Sequence, residues 1–211
     1  MRSDPATAPP RRDGLLHAVT VEVEVGSLPS LLALRPPTGF IVRVPQAEAL
    51  IGDLRERFDV SAGPGMPAHI TVLFPFMTAD CIDNAVLQGI REALAGARAF
   101  RFTLASVARF PATTYLVPEP AAAFIDLTTR LARRFPQFPP FGGEFETVIP
   151  HLTVAHGSAA QADQAQAELE ARLRANGAIH GLCNSVLLLE NTAGRWREMH
   201  TFELAAVDMH A

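Results

Sequence analysis

Two short triplets carry the chemistry legible in this sequence. His69-Ile70-Thr71 and His151-Leu152-Thr153 are the two places where a histidine precedes a threonine by two positions. In an extended strand, residues i and i+2 project to the same face. Each triplet therefore presents one imidazole and one hydroxyl, while Ile70, Val72, Leu152 and Val154 pack behind them. One such triplet alone would mean little. These two follow nearby prolines, Pro67 and Pro150, and stand at matching places in an internal repeat.

The arrangement suits cleavage of a phosphodiester by in-line attack. One group removes the proton of the nucleophile, and another on the opposite side protonates the leaving oxygen. Two imidazoles can divide these roles, one neutral and one protonated. The hydroxyls of Thr71 and Thr153 can donate to the non-bridging phosphate oxygens and hold phosphorus between the rings. Such a reaction needs no metal or other cofactor.

The elements that must position these groups read as a duplication. FIVRV (40–44) is a strand, and Pro45 starts a helix with Leu50, Leu54 and Phe58 on one face. The loop SAGPGMP leads to a strand, AHITVLF (68–74), followed by a helix over roughly 79–95 and a strand at 100–110. TYLV (114–117) then opens the second copy, whose helix carries Leu127, Leu131 and Phe135 at the same spacing. A Pro/Gly-rich loop leads to the strand VIPHLTVAHG and a helix over about 159–175. Strands near 183–190 and 195–205, joined by a turn at Asn191 to Gly194, end the pattern. The expected fold is α+β and bilobal: two pseudo-symmetric lobes of mainly antiparallel sheet, with helices outside and a central cleft. Residues 1–37 read as an extension with a Pro- and Ala-rich tail and an alternating VEVEV stretch within 15–25. Residues 38–211 form the single bilobal domain.

Composition narrows the function classes. The chain has 211 residues, 48% of them hydrophobic and 19% charged, enough to bury a core. Its net charge of −4 argues against coating nucleic acid with a broad basic surface, though a site for one phosphate is compatible with it. All 18 basic residues are arginine, which excludes lysine Schiff-base chemistry and a lysine phosphate loop. Two cysteines, Cys81 and Cys183, suit a reducing compartment. No apolar run is long enough to span a membrane and no export signal is visible, so the expected location is the cytoplasm, without membrane or obligate protein partner.

The motif segments AHITVLFPF and PHLTVAHG, with RFPATTYLVPEP between them and LLLEN…GRW near the end, resemble the two-histidine (2H) phosphoesterase superfamily. Over about residues 39–205 the chain is most similar to bacterial 2′-5′ RNA ligase family proteins, which include RNA 2′,3′-cyclic phosphodiesterases. The resemblance implies a bilobal α+β fold and metal-independent hydrolysis of cyclic phosphates or 2′-5′ linkages on a nucleotide or RNA end. It implies His69 and His151 as the acid/base pair and Thr71 and Thr153 as phosphate holders. One departure is that several relatives carry an Arg soon after the second motif, where this chain reads Ala155-His156-Gly157.

Around the motifs, Phe76, Arg109, Phe110 and Tyr115 are candidate substrate contacts, the aromatics by stacking on a base. Strand parity assigns Phe74 to the packing face and puts His156 opposite His151, as a surface residue at a strand end. Trp196 is read as packing within its hairpin. Two rival functions use the same residues: a non-catalytic module that binds phosphorylated nucleotides or RNA ends, and a zinc hydrolase. The second lacks an H-x-H or H-E-x-x-H motif and a visible third ligand.

Overall fold

The computed structural model describes residues 37–206; the expected tail and the VEVEV stretch lie outside them. Helix α1 (Pro45–Phe58) has Pro at its first turn, where the missing N–H would have no intrahelical partner anyway. It buries Ala47, Ile51 and Leu54, so the inward stripe runs one step around from the expected one and leaves Leu50 half-buried. Helix α3 (Ala121–Arg134) is its counterpart and buries Phe124, Leu127 and Leu131. The single helix expected near 79–95 is a 3₁₀ turn, Ala79–Cys81, followed by α2 (Asn84–Leu94). The Asp83 carboxylate separates the two by accepting from the Val86 N–H, an N-cap that restarts the helix. Helix α4 (Ala159–Asn176) opens on a capping box of Ser158 and Gln161.

Among the described residues, eight strands form two four-stranded sheets in which every strand pairing is antiparallel. They are β1 (Gly39–Arg43), β2 (His69–Leu73), β3 (Phe100–Phe110), β4 (Thr113–Glu119), β5 (Leu152–His156), β6 (Ile179–Cys183), β7 (Ser185–Glu190) and β8 (Arg197–Glu203). One sheet has the order β2-β1-β7-β8 and the other β5-β4-β3-β6, so each motif strand is the edge of its own sheet. The two edges, β2 and β5, pack against each other. Strand β6 was not anticipated from sequence. Gly181 permits it, because a Cβ there would collide with the Phe102 ring on the paired strand β3.

The helices cross between halves. Helix α1 packs on β5 and α3 packs on β2. The main core runs continuously from Phe40, Ile51 and Ile70 to Leu116, Phe124 and Leu152.

Both motif strands carry a bulge at the same place. Opposite β1, Ile41 pairs with Thr71 and Phe40 with Leu73, which leaves Val72 as the extra residue. Opposite β4, Tyr115 pairs with Thr153 and Thr114 with Ala155, which leaves Val154 as the extra residue. A bulge shifts the pleat by one, so side chains beyond it change faces. The carbonyl of Val72 accepts from Thr128 Oγ1 of α3 at 2.7 Å.

Candidate active site

His69, Thr71 and Thr153 line one cavity of about 300 Å³. His151, two residues before Thr153, is not among the lining residues; its ring lies against Phe110 (centroids 5.4 Å apart) and Tyr115 (5.1 Å). Both imidazoles are held by the same local device. The Nδ1–H of His69 donates to the carbonyl of Pro67 at 2.8 Å, and that of His151 to the carbonyl of Ile149 at 2.7 Å. A carbonyl can only accept, so Nδ1 carries the hydrogen and the lone pair of each neutral ring is at Nε2.

Burial pushes His69 down to about 4, against the opposing effect of the Pro67 bond; nearby Arg55 and a charge on His151 add to the lowering. Burial also lowers His151, again opposed by its carbonyl bond.

The bulges decide what else reaches the cavity. Beyond Val72 the pleat turns Phe74 into the wall, and beyond Val154 it turns His156 there, so parity counted along an unbroken strand misplaces both. His156 Nδ1 shares a hydrogen bond with Thr113 Oγ1 at 2.8 Å. Phe74 has room because residue 39 is glycine: a Cβ there would lie 2.9 Å from the Phe74 ring. Trp196 also lines the cavity, edge-on to Phe74 with centroids 6.2 Å apart, so it is more than a packing residue of its hairpin.

Other candidate contacts lie elsewhere. Phe76 is 2% exposed and packs in the core with Phe40, Phe135 and Phe138, past the end of β2 at Leu73. The Arg109 guanidinium is bound to the Asp163 carboxylate and the carbonyls of Pro111 and Ala159, at the start of α4. Phe110 and Tyr115 pack on each other at 4.5 Å, and Phe110 edge-on and Tyr115 at a tilt against His151, supporting the imidazole.

Beneath the wall a buried ion pair fixes the loop that enters β2. Arg55 Nη2 donates to Asp59 Oδ2 and to the carbonyl of Met66, both at 3.0 Å. Asp59 Oδ1 accepts from the N–H and Oγ of Ser61. No sequence pattern marks this pair, because Arg and Asp four apart on a helix usually form a solvated surface contact.

Among the described residues no group of three His, Cys, Asp or Glu side chains is arranged to hold a metal ion, and no helix is long and apolar enough to cross a membrane.

Comparison with known proteins gives the fold a context. The structure is similar to that of Escherichia coli LigT complexed with 3′-AMP, with a TM-score of 0.54 and 14% identity over 80% of this chain and 97% of that one. It is similar to a crystal structure described as a phosphoesterase (TM-score 0.52, 14% identity, 81% and 99% covered). A protein of Thermus thermophilus aligns with TM-score 0.52 and 15% identity over 81% of this chain and 98% of that one. No curated protein matches the chain in sequence. The sequence model of the 2′-5′ RNA ligase superfamily matches residues 43–195, the stretch that holds both triplets, both bulges and the helices that cross between halves, and the chain belongs to that superfamily.

Proposed function

We propose that this protein is a metal-independent phosphodiesterase that opens a 2′,3′-cyclic phosphate, or cleaves a 2′-5′ linkage, on a nucleotide or RNA end. The observation that carries the reading is the matched pair of imidazoles. Each has Nδ1 tied to the carbonyl two residues back, which leaves Nε2 available, and both triplets supply a threonine to one cavity. The 3′-AMP in the LigT neighbour is a nucleotide with phosphate on the ribose, which suits this substrate class. Free cysteines, one exposed and one buried, suit a cytoplasmic setting.

In this reaction water attacks phosphorus and gives its proton to one imidazole Nε2. The bond from phosphorus to a ribose oxygen breaks, and the other imidazole returns a proton to that oxygen, leaving a phosphomonoester. His69, held neutral near pH 7, is assigned the base and His151 the acid. Thr71 and Thr153 donate to the non-bridging oxygens, and the phosphate's negative charge favours the protonated form of the acid.

The test is a product assay with nucleoside 2′,3′-cyclic phosphates and oligonucleotides ending in one, with and without a chelator. Turnover that survives chelation and falls by about 10²–10⁴-fold in His69→Ala and in His151→Ala is the expected result. Saturable binding without product would mean a binding module instead.

A further inference from the structure

The two histidine tethers differ in the peptide unit that carries them. The Pro67 carbonyl that receives the Nδ1–H of His69 shares one planar trans unit with the N–H of Ala68. The two groups of such a unit point in opposite directions, so whatever holds the N–H also aims the carbonyl. Glu48 Oε1 accepts from the Ala68 N–H at 2.6 Å. The preceding unit, Met66–Pro67, has no N–H, and its carbonyl accepts from Arg55 Nη2 at 3.0 Å. Two consecutive peptide planes are thus held by side chains of α1. His151 lacks this handle. Its tether is the carbonyl of the Ile149–Pro150 unit, whose proline nitrogen carries no hydrogen, and Ile149 is 46% exposed. The sequence sets the difference, Pro67-Ala68-His69 against Ile149-Pro150-His151.

The groups that hold the first tether form one array. Glu48 and Arg55 are seven residues apart, on one face of α1, and Arg55 Nη1 lies 3.8 Å from Glu48 Oε1. Arg55 is buried and is held in turn by the Asp59 carboxylate at the end of the helix. The backbone of Asp59 pairs with His156 at the end of β5, and α1 packs on that strand. The helix that grips the His69 tether is therefore docked on the strand that carries Thr153.

We propose that Glu48 and Arg55 are positioning residues for His69: they aim the Pro67 carbonyl, which fixes the imidazole in its Nδ1–H form, and they tie that ring to the second motif strand. The consequence for turnover rests on the phosphoesterase reading, whereas the form of the ring is a property of the free protein. A ring released from its Nδ1–H bond moves toward the Nε2–H form, in which Nε2 has no lone pair to take a proton. His151, packed against Phe110 and Tyr115, is supported independently.

The test reads the imidazole nitrogens by NMR in the histidine-labelled full chain, beside kcat and KM on a nucleoside 2′,3′-cyclic phosphate. Wild-type His69 should be in the Nδ1–H form. Glu48→Ala should move it toward Nε2–H and leave His151 unchanged. It should also lower kcat about ten- to hundredfold with KM within about twofold, because Thr71 and Thr153 still hold the phosphate. Glu48→Gln keeps an acceptor for the Ala68 N–H and should restore both readouts. Arg55→Met combined with Asp59→Asn removes the buried charge together with its partner and should act as Glu48→Ala does. Glu48 is exposed, so its two variants decide the matter even if the double variant fails to fold. His69 remaining in the Nδ1–H form in Glu48→Ala, wild-type kcat in that variant, or an equal change at His151 overturns the proposal. A wild-type protein that cleaves no cyclic phosphate while His69 responds as stated would overturn the phosphoesterase reading and leave the support of His69 standing.

Discussion

At the residue scale, the two imidazoles have equivalent tethers but different surroundings, and the difference can be measured. His69 is the ring that burial holds near 4, while His151 lies against two aromatic rings. If His69 is the base and His151 the acid, a phosphodiester with a p-nitrophenolate leaving group should rescue His151→Ala, because that oxygen departs without a proton, and should leave His69→Ala slow. Rescue of His69→Ala instead would exchange the roles. The same depressed pKa predicts a stability effect. Unfolded His69 takes up its proton as pH falls below 6.5, whereas the folded ring resists until about 4. The stability it contributes is therefore fully present above 6.5 and is lost between these values. Chemical denaturation from about pH 7.5 to 4 should show the wild type losing more stability than His69→Asn across that window; parallel curves would mean the folded ring is not depressed. The triplets were legible because type and spacing alone define them. Phe74, His156 and Trp196 were not, because their roles depend on which way each side chain faces, and a bulge or a two-faced sheet changes that without altering composition.

At the element scale, the bulges are the features that shape the site. Without the extra residues at Val72 and Val154, Phe74 and His156 would face away from Thr71 and Thr153. An extra strand residue leaves a backbone group outside the ladder, and at Val72 the carbonyl is satisfied by Thr128 from the helix that packs on β2. Thr128→Val keeps the volume and removes the donor. It should destabilise the protein by about 1–3 kcal/mol, the cost of an unsatisfied buried acceptor, in urea unfolding. It should also lower turnover more than Thr129→Val, a neighbouring half-buried threonine whose hydroxyl donates to the Ile125 carbonyl within α3. Equal effects would show that the bulge holds without Thr128. Most elements could be placed from periodicity and from caps such as Pro45. Strand β6 was missed because Ile179–Cys183 is separated from β7 by Asn184 alone, and its central glycine reads as a breaker until the Phe102 ring opposite it is known. The continuous apolar run of β7, VLLL, was the signal for a sheet with two buried faces.

At the scale of the whole molecule, the duplication yields one site because the halves exchange packing partners. Helix α1 supports the second motif strand and α3 the first, so each triplet takes a supporting helix from the other half. The described chain also returns to the first sheet at its end, where β7 pairs with β1. What ties α1 to the second half outside the core is a pair of charge contacts to α4. Arg172 donates to both oxygens of Asp53, at 2.5 and 2.7 Å, and to the Leu50 carbonyl at 2.7 Å, while Arg57 pairs with Glu168. The Arg172 hydrogen bond holds Asp53 down at about 2 instead of 3.8. Asp53 is exposed and Arg172 half-buried, so the Arg172–Asp53 contact should contribute only about 0.3–1 kcal/mol. The depressed carboxyl gives the sign: the contribution is complete above pH 3.8 and disappears as pH falls to about 2. Arg172→Met keeps the aliphatic stem and removes the charge. Its stability deficit, measured by urea unfolding near neutral pH, should shrink in about 1 M salt and vanish near pH 2. A deficit that persists unchanged at the acid end would assign Arg172's effect to the Leu50 carbonyl it covers, and the junction of α1 with α4 would then be a backbone contact instead of an ion pair.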